Sequence, residues 1–323
     1  MEKSFEPWAH YWQTMNSHAC VRVNDGEYRE ELESVWKPYF SKLAPNSKVL
    51  DVCVGNGAVS RMAVQVSIDS ELSHEVTAVD GASINKEYVE RDEWLGKVNF
   101  VDETNIEQLP FSDQPFYLIV SQYGIEYTNT SVTLPEIARV LKQSGELVIV
   151  AHDKEGLSVI AAQNAHDYLI SVLDKSRFFS VLKAYLEHLC LERKNIPFKP
   201  SDALLQLDKE LIKAKKIVEQ GYQSVDSKDI AHNVISVVGH MLSNHQDFEL
   251  DDMLAKVSDI ENALEMHRKR LNLCIESALD QESLANLFDI VRSIHLKTIK
   301  NEVLLDSDNQ IIARLLHFKK ISD

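Results

Sequence analysis

Two glycines and two aspartates carry the clearest chemistry in this chain. The segment VLDVCVGNGAVS (49–60) reads as an apolar strand that breaks at Gly55 and Gly57 and passes into a helix. A turn of this kind lets a ligand approach the backbone closely, and the helix start offers unpaired N–H groups to it. Asp51 lies near the end of the strand. Asp80 closes a second apolar run, EVTAVD (75–80), 23 residues beyond Gly57. An acid there is placed to accept hydrogen bonds from the ribose hydroxyls of a nucleoside held over the glycine turn. The plainer alternative is a packing turn with a surface aspartate. The placed acid favours an adenosine-containing cofactor.

Candidates for the reacting end follow two further runs. Ser121, Gln122 and Tyr123 follow FYLIVS (116–121), and His152 follows ELVIVA within 146–153. All four are expected at the edge of a parallel sheet where ligands bind. His152, with an ordinary pKa near neutrality, could act as a general base, and Tyr123 is its companion candidate. The competing reading of His152 is a hydrogen-bonded loop histidine, and that of Tyr123 and Tyr127 is plain packing. His232, His240 and His245 are separated by eight and five residues, which does not match the helical spacing of a metal pair. They read as structural, so no metal is expected. The basic run MHRKRLNL (266–273) reads as a solvated helix face.

These residues need a sheet to hold them. Apolar runs at 47–54, 75–80, 97–102, 116–121 and 146–153 alternate with helical stretches at 58–69, 83–94 and 133–142. That alternation predicts a doubly wound, Rossmann-like α/β fold, parallel and covered by helices on both faces. Residues 1–46 form an expected helical cap, and 47–153 the core. Residues 154–300 show helical periodicity and read as a large all-α insertion. An apolar run, a polar turn and a second apolar run within 301–323 predict a closing antiparallel hairpin.

Composition narrows the class. The 323 residues carry 34 Lys+Arg against 50 Asp+Glu, a formal net charge of −16. The excess sits in residues 1–153, with 12 basic against 24 acidic side chains, while 154–300 hold 19 and 22. Such acidity argues against a broad nucleic-acid-gripping surface. Cys20, Cys53, Cys190 and Cys274 form no C-x-x-C pair, which suits a reducing compartment. The N-terminus MEKSFEPWAHYW does not read as a signal peptide, and no stretch reads as a membrane span. A cytoplasmic protein is expected.

The C-V-G-N-G turn lacks the third glycine of a dinucleotide fingerprint and resembles motif I of the class I S-adenosylmethionine-dependent methyltransferases, acid-x-G-x-G-x-G. Asp51, Gly55 and Gly57 match, Asn56 lies between the glycines, and Cys53 stands for the first glycine. NIEQLPFSDQPFYLIVSQYGIEY (105–127) is similar to the family's D-A-x-x-L-P-F-x-D-x-x-F-D-x-V segment, with Asn105 and Tyr117 in place of aspartates. LPEIARVLKQSGELVIV (134–150) is similar to E-x-x-R-V-L-K-x-G-G-x-L, with Ser144 replacing a glycine. The resemblance implies S-adenosylmethionine as cofactor and S-adenosylhomocysteine as product. It implies binding by Asp51, Cys53, Gly55, Asn56, Gly57, Asp80, Gly81 and Ser121, and adenine contacts from Asn105 and Ile106. It also implies that Tyr11 and Trp12 could cap the methionine end of the cofactor. The family's Asn/Asp-Pro-Pro-aromatic amino-methylating signature is replaced by SQYG (121–124).

The expected activity is methyl transfer to a small or medium-sized molecule, oxygen being the preferred acceptor, under a helical lid that excludes water. A homodimer through the helical insertion is a further expectation. Two alternatives stay open: an enzyme acting on tRNA or protein, and a non-catalytic module that binds the adenosyl ligand and serves assembly.

Overall fold

The structure, a computed structural model, describes residues 5–14, 30–101, 103–194, 199–221 and 225–321. Cys20, Asp102 and Pro197 lie outside them. The chain divides into two units, Met1–Val159 with Leu273–Asp323, and Ile160–Asn272.

In the first unit, α1 (Glu6–Thr14) and α2 (Glu30–Ser41) precede β1 (Lys48–Val52), α3 (Ala58–Asp69) and β2 (Glu75–Val79). Then come α4 (Lys86–Arg91), β3 (Asn99–Val101), β4 (Phe116–Gln122), α5 (Thr130–Val140) and β5 (Leu141–Ala151). The seven-stranded sheet has the order β3-β2-β1-β4-β5-β7-β6. Strands β1 to β5 are parallel, and β7 (Ile311–Lys320) runs antiparallel to both β5 and β6 (Leu296–Leu305).

Alternation along the strands gives each face its own core. Val49, Val120 and Val148 face α2 and α3, meeting Leu32, Trp36, Phe40 and Met62. Leu50, Ile119, Leu147 and Phe318 face the other way onto Leu134 and Ile137 of α5. Covering both faces requires near-continuous apolar strands. The chain reverses direction across the sheet between β1 and β4, which opens a crevice at their carboxyl ends.

Three boundaries differ from the sequence reading. β5 begins at Leu141 rather than 146, because Ser144 takes a left-handed φ of 62° and carries the strand through the polar KQSG stretch. β6 begins at Leu296 rather than 301. Helix α11 (Gln281–Ser293) belongs to the first unit: Leu284, Leu287 and Val291 pack into the α5 face of the sheet. The separate helical unit is therefore narrower than 154–300.

That unit, Ile160–Asn272, holds α7 (Phe178–Glu192), α8 (Asp202–Gln220), α9 (Val225–Ser243) and most of α6 (Leu157–Ile170) and α10 (Leu250–Ser277). Its interior is apolar, with Leu169, Val172, Leu182, Leu186, Val218 and Val257 buried. The Tyr168 hydroxyl donates to the Val218 carbonyl at 2.7 Å. Ser201 caps α8 by accepting from the Leu204 amide.

Candidate functional site

The turn after β1 alternates left-handed residues: Cys53 at φ 58°, Gly55 at 55° and Gly57 at 92°. The positions where the resembling motif carries glycine are thus the ones whose backbone favours it. Cys53 accepts that geometry with a side chain, and the neighbour that gives way is Gly124. A Cβ at residue 124 would lie 2.3 Å from the Cys53 Cβ and 3.1 Å from its sulfur. Burial pushes the Cys53 thiol well above its usual pKa, so it stays protonated. At Gly55 the Trp12 indole closes over the turn, where a Cβ would come within 2.3 Å of it.

Asp80 ties the two strand ends together. One of its oxygens accepts the Gly55 amide and the other the Ala82 amide, both at 2.8 Å. Asp51 is 2 % exposed. Burial pushes its pKa up to about 7, against the lowering effect of the Ser60 hydroxyl, which donates to it at 2.7 Å.

The opposite wall is the loop 104–113. Asn105 accepts the Glu107 amide at 2.9 Å, and Glu107 accepts the Asn129 amide at 3.2 Å. Arg139 holds this loop from α5, donating to the Phe111 carbonyl at 2.8 Å, to Asp113 at 2.8 Å and to Glu136 at 2.6 and 2.8 Å. Glu136 in turn accepts the Leu109 amide at 2.7 Å. The E-x-x-R segment therefore acts as a clamp on the loop that presents Asn105 and Ile106. The Arg139 hydrogen bond holds the Glu136 carboxyl below its usual pKa.

A cavity of about 560 Å³ lies among these elements. Its walls include Asp51, Cys53, Asn56, Gly57, Asp80, Gly81, Asn105 and Ile106. Trp8, Trp12, Tyr88, Tyr123 and Tyr127 supply aromatic surface. Three acids, Asp51, Asp80 and Glu107, line it with one basic residue among the described ones, Arg61, which is paired with Asp92 at 2.9 Å. The resulting negative balance favours a cationic ligand.

Four expected residues fall elsewhere. Gly55 contributes its amide to Asp80 and sits under Trp12, off the cavity wall. Ser121 is fully buried and accepts the Ile125 amide at 3.3 Å. Tyr11 packs edge-on against Trp12, ring centres 5.0 Å apart, while Trp8 and Trp12 themselves reach the wall. His152 is fully buried and not part of the wall. Its Nδ1 lies 2.7 Å from Glu126, whose same oxygen accepts the His152 amide at 2.9 Å. The Tyr123 ring covers the imidazole at 4.2 Å between centres, and its hydroxyl donates to the Ile312 carbonyl at 3.0 Å. As a base reaching a substrate directly, His152 is thus not placed, and the Tyr123 oxygen is held by the chain.

Sequence reading missed Trp8, Gly124 and Glu126. Trp8 had a signal in its i, i+4 spacing to Trp12 on one helix face. Its ring stacks on Trp12 at 6.1 Å and meets Tyr127 edge-on at 5.0 Å. Glu126 and Gly124 had no local signal, because their partners lie 26 and 71 positions away.

Residues 50–149 match the family model described as a methyltransferase domain. The ubiquinone/menaquinone biosynthesis C-methyltransferase of Geotalea daltonii is 30% identical over 150 residues, covering 45% of this chain and 62% of that protein. The Haemophilus ducreyi enzyme of the same name is 29% identical over 155 residues, covering 45% and 57%. Among solved structures, the Burkholderia thailandensis 1,6-didemethyltoxoflavin-N1-methyltransferase, with 1,6-didemethyltoxoflavin and S-adenosylhomocysteine bound, aligns at 10% identity. That alignment covers 91% of this chain and 78% of the other, with a TM-score of 0.41.

Proposed function

We propose that the α/β unit, whose residues 50–149 match a methyltransferase-domain model, is a class I S-adenosylmethionine-dependent methyltransferase that transfers the methyl group of that cofactor to a small or medium-sized conjugated molecule. The observation that carries this reading is the single cavity wall shared by the glycine turn, Asp80 and an aromatic end built from Trp8, Tyr123 and Tyr127. The residues present fit the cofactor. Side chains at Gly55 and Gly57 would strike Trp12 and Leu95, so the turn stays bare. The acids on the wall match a sulfonium and an ammonium group.

Asp80 would hold the ribose hydroxyls, Asn105 and the Ile106 backbone the adenine, and Asp51 the cationic end. When bound, the cofactor supplies an electrophilic methyl for in-line displacement, so the protein's main contribution is alignment. Trp8 and Trp12 cover that end of the cavity and exclude water. A planar acceptor stacks on the aromatic wall.

Oxygen is the acceptor we prefer from the sequence, while the ubiquinone/menaquinone enzymes that the chain resembles are C-methyltransferases. A phenol or enol reconciles the two, since its anion carries charge on oxygen and on the adjacent carbons. The test starts with calorimetric titration of S-adenosylmethionine and S-adenosylhomocysteine, with NADH as control. Binding of the adenosyl pair alone, followed by methyl consumption on a phenol and enol panel, is the expected result. NADH binding alone would sink the reading. Product NMR then assigns the methyl to oxygen or carbon.

A further inference from the structure

Among the described residues, the outer strand of the sheet, β6, has a strand neighbour on one side only. Residues 297–303 along it are all exposed. Ile299 and Val303 are 45% and 38% exposed, so two large apolar side chains stand on an open edge. Unpaired edges of this length invite pairing, and proteins that avoid it usually set repelling charges along them. Here opposite charges stand two positions apart, Lys300 and Glu302, which meet each other at 3.5 Å within the chain while both remain exposed and able to exchange partners.

The ladder with β7 places Thr298 opposite Phe318 and Lys300 opposite His317, leaving Ile299 as the extra residue of a bulge. Lys300 and Glu302 then lie on one face, opposite His317 and Leu315, while Asn301 and Val303 lie on the other, opposite Leu316 and Arg314. Alternation counted back from Lys300 sets Ile299 on the face of Asn301 and Val303. The five residues Ile299 to Val303 read I-K-N-E-V, which is complementary to itself when reversed about Asn301.

We propose that two copies of this chain pair antiparallel along β6 about a two-fold axis at Asn301. Lys300 then meets Glu302 of the second copy on one face, twice by symmetry. On the other face Ile299 meets Val303, also twice. Opposite charges and β-branched pairs directly across a ladder each favour association, and residues that pair share a face, as these do. The side chain of Asn301 is already oriented by Arg314, whose guanidinium donates to it at 3.0 Å. The second copy is the occupant because the charge pattern answers itself.

Strand pairing alone buries less than a standard interface, so the dimer should form in the micromolar range. Sedimentation of the intact protein from about 1 to 100 μM is expected to show a monomer–dimer equilibrium. K300E and E302K each set like charges opposite one another and should weaken dimerisation roughly tenfold or more. The double variant K300E/E302K restores the pairing and should recover it. N301C should cross-link to its copy under mild oxidation, while K297C, far from its own symmetry mate in this register, should not. Circular dichroism confirms that each variant is folded. A protein that stays monomeric over the whole range overturns the proposal. So does a dimer indifferent to K300E and E302K, as one held by the helical unit would be, and so does failure of the double variant to recover.

Discussion

The proposed cofactor end and the proposed reacting end of the cavity are built on opposite plans. At the proposed cofactor end the local backbone sets the shape: the left-handed turn brings the Gly55 amide onto the Asp80 carboxylate, which also accepts the Ala82 amide. At the reacting end the support is a buried side-chain pair, Glu126 and His152, with Tyr123 laid over it. A backbone site follows from local sequence, because glycine and a strand-ending acid impose it within a few residues. A site supported by paired side chains depends on contacts between distant strands. The first can lose one group and keep its shape, whereas the second fails as a unit.

The contrast is sharpest in stability. Glu126→Ala leaves the His152 amide and ring buried without their carboxylate, and should cost about 1–3 kcal/mol in urea unfolding for each group left unsatisfied. Adenosyl-ligand affinity of the folded protein should stay unchanged. A loss under about 1 kcal/mol would mean that the pair does not support the reacting end.

Gly124→Ala tests the seam between the two ends. The added Cβ collides with Cys53, for an expected cost of about 1–3 kcal/mol. Adding Cys53→Gly should recover most of it, and no recovery would show that the collision is not the cause. Asp80→Ala should weaken S-adenosylhomocysteine binding by about 1–3 kcal/mol in calorimetry, the scale for an unpaired polar partner. Unchanged binding would break the assignment of the ribose site.

The smallest effect is in pH. Asp51 titrates at about 7 when folded, above an unfolded value of about 3.9. Its ionisation therefore opposes folding, and its contribution to stability falls as pH rises from about 4 to 7. A cationic ligand beside it favours the ionised form. S-adenosylmethionine affinity should thus rise with pH up to about 7, by at most about tenfold per unit, with proton release on binding. Asp51→Asn should remove that dependence. Equal proton release in the variant would locate it elsewhere.

The same contrast explains what the sequence made legible. Helix α3 begins and ends where the reading placed it, at 58 and 69, because Gly57 punctuates one end and the apolar periodicity stops at the other. Strand β2 was visible as a short Val-rich run. The start of β6 was not, since an exposed edge strand alternates polar residues on both faces and buries almost nothing. Helix α11 looked like the rest of the helical block, and only its packing on Phe318 and its neighbours separates it. Cys53 and Ser144 looked like departures from a glycine motif. Both hold the left-handed backbone that the motif specifies, so the departures change the side chains and leave the turn intact.

The placement of β7 sets a schedule for synthesis. β5, among the most thoroughly buried strands, has β7 as its outer neighbour, and the Tyr123 hydroxyl is anchored on Ile312 in that same strand. Residues 152–310 must be made between the two. At roughly 5–20 residues per second, the ribosome leaves the β5 edge open for about 8–30 seconds. During that interval the nascent chain carries a bare apolar strand edge and a Tyr123 hydroxyl still without its Ile312 acceptor.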